Sequence, residues 1–134
     1  MTTQPQIQIP QNWAGSGPEY IAYQTFIELG KTPGQDFSYQ SPLLGGRMDK
    51  GGFIIDFMFT NPPDLGVNVQ GVYYHYQKYP NGVETKARDV LARASMAGQN
   101  ITLVFIDDDD LLRNPRFYCR EALNYKDHSR LGGG

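Results

Sequence analysis

One carboxylate interrupts an otherwise apolar run, Asp56 in Phe53-Ile54-Ile55-Asp56-Phe57-Met58-Phe59, and a histidine closes the next β-like stretch, Gln70-Gly71-Val72-Tyr73-Tyr74-His75. An ionised carboxylate buried in a strand is costly unless it is paired, hydrogen-bonded or bound to a metal. An Asp and then a His on neighbouring strands therefore point to metal-dependent hydrolysis. Mg²⁺ is a hard cation held by one or two carboxylates, with waters completing its shell. The metal stabilises developing negative charge and activates water, and a histidine that titrates near neutral pH acts as general acid or base. Asp56 supplies the charge in this scheme, and His75 the proton transfer.

The elements that must position these residues are legible in outline. Residues 1–17 are rich in Gln, Pro, Gly and Thr, with Ile7, Ile9 and Trp13 as anchors, and read as an extended arm. Ser16-Gly17-Pro18-Glu19 supplies a cap, a first-turn proline and an acid suited to a helix N-terminus. The spacing predicts a helix over 18–29, with Tyr20, Ile21, Tyr23, Phe26 and Ile27 on its apolar side, ended by Gly30 and Pro33. A short β-like piece covers 37–40, a strong strand 53–59 and a second strand 65–72, with Asn61-Pro62-Pro63-Asp64 as the turn of a hairpin. In that second strand Val67 and Val69 face one side, Asn68 and Gln70 the other. Residues 84–97 carry Ala87, Val90, Leu91 and Ala94 at helical spacing, 101–106 read as a central strand, and a last helix runs from 115 to about 125. The expected class is α/β, order αβββαβα, a mixed sheet with flanking helices. Residues 18–128 form its one domain and 129–134 a flexible tail.

The composition sets further bounds. At 134 residues, 40% hydrophobic and 13% aromatic, the chain is long enough for a real core and too apolar for wholesale disorder. No apolar stretch approaches the roughly 20 residues of a membrane helix. The opening Met1–Ile7 lacks the pattern of a secretory signal and Cys119 is the one cysteine, which fits a cytoplasmic or virion setting. Twelve basic against fourteen acidic residues exclude the footprint of a strong nonspecific DNA binder, so any nucleic-acid contact is local. The basic residues cluster at Lys78, Lys86, Arg88 and Arg93, and again at Arg113, Arg116, Arg120, Lys126 and Arg130.

The stretches Gly51–Phe57, Val67–His75 and Ala87–Arg93, followed by Gly98 and the strand 101–106, resemble the very-short-patch-repair endonuclease branch of the PD-(D/E)xK nuclease superfamily. They are also similar to the phage homing endonucleases described by an EDxHD pattern. The resemblance covers roughly 19–123 and implies a restriction-endonuclease-like sheet, Mg²⁺ or Mn²⁺ as cofactor, DNA as partner and a phage or mobile-element source. Carried over residue by residue, it makes Glu19 the acid of the first helix, Asp56 the metal-binding aspartate, His75 the catalytic histidine and Asp89 the last acid. The usual acid-x-Lys triplet is replaced here by Asn68-Val69-Gln70. The repair branch lacks that triplet too and uses a main-chain carbonyl, which here is that of Val69. Gln70 stands where that branch has a histidine, and Gln70, Lys78, Lys86, Arg88 and Arg93 are the implied DNA contacts.

Each residue also has a plainer explanation. Asp56 can be satisfied by an Arg or by turn amides, Glu19 by the helix dipole, His75 by packing among Tyr73, Tyr74 and Tyr76, and Asp89 by Arg93 or Lys86 along its helix. Asp107–Asp110 looks like a metal cluster, yet consecutive acids at a strand-to-helix junction read more simply as caps and solvated charge. Cys119 reads as a packing residue. Besides a metal-dependent endonuclease or nickase, two other classes stay open. One is a nuclease fold kept as a structural or DNA-binding virion component, and the other is a protein-binding module whose arm docks on a phage structural neighbour.

Overall fold

The computed structural model describes Trp13, residues 15–43, 53–71, 94, 97, 98 and 100–130. Helix α1 (Gly17–Glu28) precedes β1 (Phe37–Leu43), β2 (Phe53–Phe59) and β3 (Leu65–Gln70), and β4 (Thr102–Asp107) leads into α2 (Asp108–Arg113) and α3 (Pro115–Leu123). The strands form one mixed sheet in the order β1-β2-β3-β4, antiparallel at the first two junctions and parallel between β3 and β4. The expected mixed α/β sheet with helices on it is observed.

Local chemistry explains the boundaries. The Ser16 hydroxyl accepts the Glu19 N–H at 3.2 Å and caps α1, with Pro18 in the first turn where its missing N–H costs nothing. At the other end Gly30 takes φ +96°, and the Lys31 N–H returns to the Phe26 carbonyl at 3.0 Å. The β2–β3 hairpin turns at 60–64, where Asp64 adopts φ 56° and Asp36 ties the turn to β1 by accepting from Asn61 Nδ2 at 3.2 Å.

The main core lies between one sheet face and the helices. Phe26 of α1 meets Phe57 and Phe59 edge-on at 5.2 and 4.9 Å, and Val67, Val104, Ile106, Leu111, Cys119 and Ala122 complete the layer. Cys119 packs as expected, and its burial pushes the thiol pKa up. A smaller cluster of Ile55, Leu103 and Phe105 occupies the opposite face. Ile55 therefore faces away from Phe57 and Phe59, and the alternation of β2 breaks at the residue between them, Asp56.

Several expectations require correction. Ile27 belongs to no packed face and is 37% exposed, because α1 meets the sheet through Ala22, Thr25 and Phe26 instead. The strand expected to be central, β4, lies at the end of the described order. Its apolar character comes from burying both faces, and its outer edge is covered by a returning segment, with the Phe105 N–H donating to Asp127 Oδ2 at 3.0 Å. The acidic run 108–110 begins a helix. Ser129 is buried and Arg130 ion-paired, so the docked chain extends into the expected tail. Of the helix expected over 84–97, Ala94 and Ala97 are helical, and the remainder lies outside the described residues.

Candidate functional site

Asp56 sits where the β2–β3 ladder fails. The register that pairs Phe59 with Leu65 and Phe57 with Val67 would next pair Ile55 with Val69. Instead the Val69 N–H donates to Asp56 Oδ2 at 2.9 Å, and the Asp56 N–H donates to Asn68 Oδ1 at 2.7 Å. Two side chains thus replace main-chain partners and hold the strands apart at this point. In an extended strand the N–H and C=O of one residue point to the same neighbour, which turns the Val69 carbonyl toward β2 as well.

Glu19 approaches from α1. It occupies the third helical position after Ser16, from which a capping-box glutamate reaches back to the cap's own N–H. Its Oε1 accepts instead from the Tyr39 hydroxyl of β1 in a short hydrogen bond. The Asp56 carboxyl is pushed up to about 7, first by burial and then by the negative charge of Glu19, with the Val69 N–H opposing both. Some of the Asp56 residue surface still reaches solvent although protein surrounds most of the carboxylate. Among the described residues no basic side chain pairs with either acid. Each spends one oxygen on the fold, and among the described residues Glu19 Oε2 and Asp56 Oδ1 have no hydrogen-bond partner.

The structure thus brings Glu19, Asp56 and the Val69 main chain together. His75, Asp89, Lys78, Lys86, Arg88 and Arg93 lie outside the described residues. Gln70, implied as a DNA contact, is 2% exposed, so its side chain is packed inside and presents no surface to a groove. Sequence reasoning missed Tyr39, which nothing in the alternating Phe37–Gln40 piece distinguishes. It registered Asn68 only as a departure from the acid-x-Lys pattern, without its bond to Asp56.

A second carboxylate group corrects the solvated-cap reading of 107–110. Ligand oxygens of Asp107, Asp109 and Asp110 lie within 4.8 Å of one another, an arrangement that could hold a metal ion. Asp107 is 1% exposed, and although it precedes α2 its side chain makes no cap hydrogen bond. Its Oδ2 accepts from the Arg130 main-chain N–H and from Nη1, both at 3.0 Å, and its buried Oδ1 has no hydrogen-bond partner. Arg130 Nη2 also reaches Asp109 Oδ2 at 2.8 Å, and Arg113 pairs with Asp110 at 2.7 Å. Burial pushes the Asp107 carboxyl up against the pull of Arg130, while the same guanidinium holds Asp109 below the usual range. A metal here would compete with two arginines.

Fold and site together define a mixed α/β protein with two acids from different elements converging at a gap in its sheet. Comparison of the chain with family models, with curated proteins and with solved structures gives no match in any of the three. No helix among the described residues is long and apolar enough to cross a membrane.

Proposed function

We propose that this protein is a metal-dependent DNA endonuclease or nickase, with a restriction-endonuclease-like fold of the very-short-patch-repair type and Glu19 and Asp56 as the acids of its site. The observation that carries the reading is the like-charged pair itself. Burial and Glu19 raise the Asp56 carboxyl to about 7, with no cation beside it among the described residues. Asp56 and the Val69 carbonyl would hold Mg²⁺ or Mn²⁺, with Glu19 beside them, and its positive charge would offset that repulsion. The bound cation would polarise the scissile phosphate and lower the pKa of an attacking water. The resemblance adds His75 as proton-transfer group, Asp89 as a further acid, DNA as substrate and a phage or mobile-element setting.

One observation favours a second reading, a nuclease fold kept as a structural or DNA-binding component. Both acids already serve the fold, Glu19 through Tyr39 and Asp56 through Val69, and Asn68 braces β2 where most of the superfamily carries an acid. Cleavage of supercoiled plasmid with Mg²⁺ or Mn²⁺, beside Asp56→Ala and an EDTA control, separates the two. The nuclease reading expects cleavage that disappears in both controls. A folded wild-type protein that leaves every DNA form intact with either metal would give the second reading precedence.

A further inference from the structure

We propose that Tyr39 is a positioning residue for Glu19, fixing through its hydroxyl which oxygen of that carboxylate faces Asp56; the role rests on the metal-site reading above. A first-turn glutamate on an exposed helix end samples many rotamers, and ordering such a side chain costs up to about 2 kcal/mol. Here the Tyr39 hydroxyl engages Oε1, and among the described residues nothing engages Oε2.

The tyrosine is itself held. Its ring stacks on Trp13 at a centroid distance of 4.5 Å, with Phe57 at 5.2 Å and Tyr23 at 6.2 Å. Trp13 in turn donates from Nε1 to the Ser16 carbonyl at 3.0 Å, and Ser16 caps the helix that carries Glu19. Trp13, Ser16, Glu19 and Tyr39 thus close a loop of contacts around one carboxylate. Gly15 lies against its centre, where a Cβ would overlap both Tyr39 Oη and Glu19 Oε1. Any larger residue there would force the Tyr39 hydroxyl or the Glu19 carboxylate to shift. Groups that orient a metal ligand in this way change affinity or activity about 10- to 100-fold when removed.

Tyr39→Phe keeps the ring and deletes the hydroxyl, while Gly15→Ala keeps the tyrosine and displaces the hydroxyl. Mn²⁺ affinity, measured by titration without DNA, should fall at least about tenfold in both variants. In both, kcat for plasmid cleavage should fall while KM for DNA stays unchanged. Their double variant should be little worse than either single one, because both break the same contact. Wild-type Mn²⁺ affinity and kcat in folded Tyr39→Phe would overturn the positioning role and leave the metal site standing. A rise in KM with kcat unchanged would overturn it too, by making Tyr39 a DNA contact. A wild-type protein that neither binds Mn²⁺ nor cleaves would remove the metal site and the role together.

Discussion

Glu19 and Asp56 meet with no cation between them among the described residues, whereas Asp107 and Asp109 share the Arg130 guanidinium and Asp110 takes Arg113. Both groups crowd negative charge at the sheet, and among the described residues only the second carries counter-ions. Arginine is a strong and permanent partner for carboxylates because its planar fork donates to two oxygens at once. A site so filled is satisfied without a ligand. Among the described residues the first pair has no such partner, which is the arrangement expected where a metal or proton must come and go. The cluster with more acids is the one that arginines neutralise.

The largest effect that could break this comparison is in the pH dependence of stability. The folded-state pKa of Asp56 is raised from 3.8 to about 7. Between those values the folded chain holds a proton that the unfolded chain has released, so stability falls as pH rises from about 4 to about 7 and is flat above. Three units correspond to about 4 kcal/mol as an upper bound, reduced by water at the open edge. Asp56→Asn keeps an oxygen to accept the Val69 N–H and abolishes the titration. In EDTA it should be more stable than wild type at pH 8 and equal to it near pH 4, by urea unfolding. Mg²⁺ should stabilise wild type at pH 8 and leave the variant unmoved, because the metal requires the ionised carboxylate. Equal stability of variant and wild type at pH 8 in EDTA would mean that Asp56 is not the strained acid.

A smaller effect of opposite sign is expected at the other group. Arg130 is half exposed, but the Asp107 side chain it neutralises has no exposure. Arg130→Ala should destabilise the fold by about 2 kcal/mol, since it strands a buried carboxylate that retains only the main-chain N–H of residue 130. The loss should be greater at pH 8 than at pH 5, where Asp107, already raised by burial, is more readily neutral. Destabilisation that ignores pH would assign Arg130 to packing instead.

The sequence made the first group legible and obscured the second for a physical reason. Asp56 is conspicuous because one charge amid six apolar residues has no cheap explanation, and Ser16-Gly17-Pro18-Glu19 marks its helix by capping rules that act within four residues. The strand over 53–59 follows from its apolar run and the hairpin from a proline-rich turn, both local. What was misread depends on distant chain. Asp107 looked solvated because Arg130, which buries its charge, arrives 23 residues later. The strand before it looked central because no local signal says that Asp127 will return to cover its edge. Gln70 reads as a DNA contact through the resemblance alone, which does not say what packs around that side chain.

The smallest effect tests the rim of the neutralised group. Arg113 is well exposed and donates to both Asp110 at 2.7 Å and the Tyr118 hydroxyl at 3.0 Å, with its guanidinium 5.9 Å from the Tyr118 ring centroid. These partners raise the arginine's already high pKa, a direction without consequence at any working pH. Exposed pairs three residues apart contribute little, since water screens the charges and both side chains lose freedom. Arg113→Ala should leave the urea midpoint within error of wild type, even at low salt. On the proposed Glu19–Asp56 site it should also leave Mn²⁺ affinity unchanged. If removing Arg113 instead creates a new Mn²⁺ site, the arginine was standing in for a cation at Asp110. The difference between the two groups would then be one of occupancy rather than of kind.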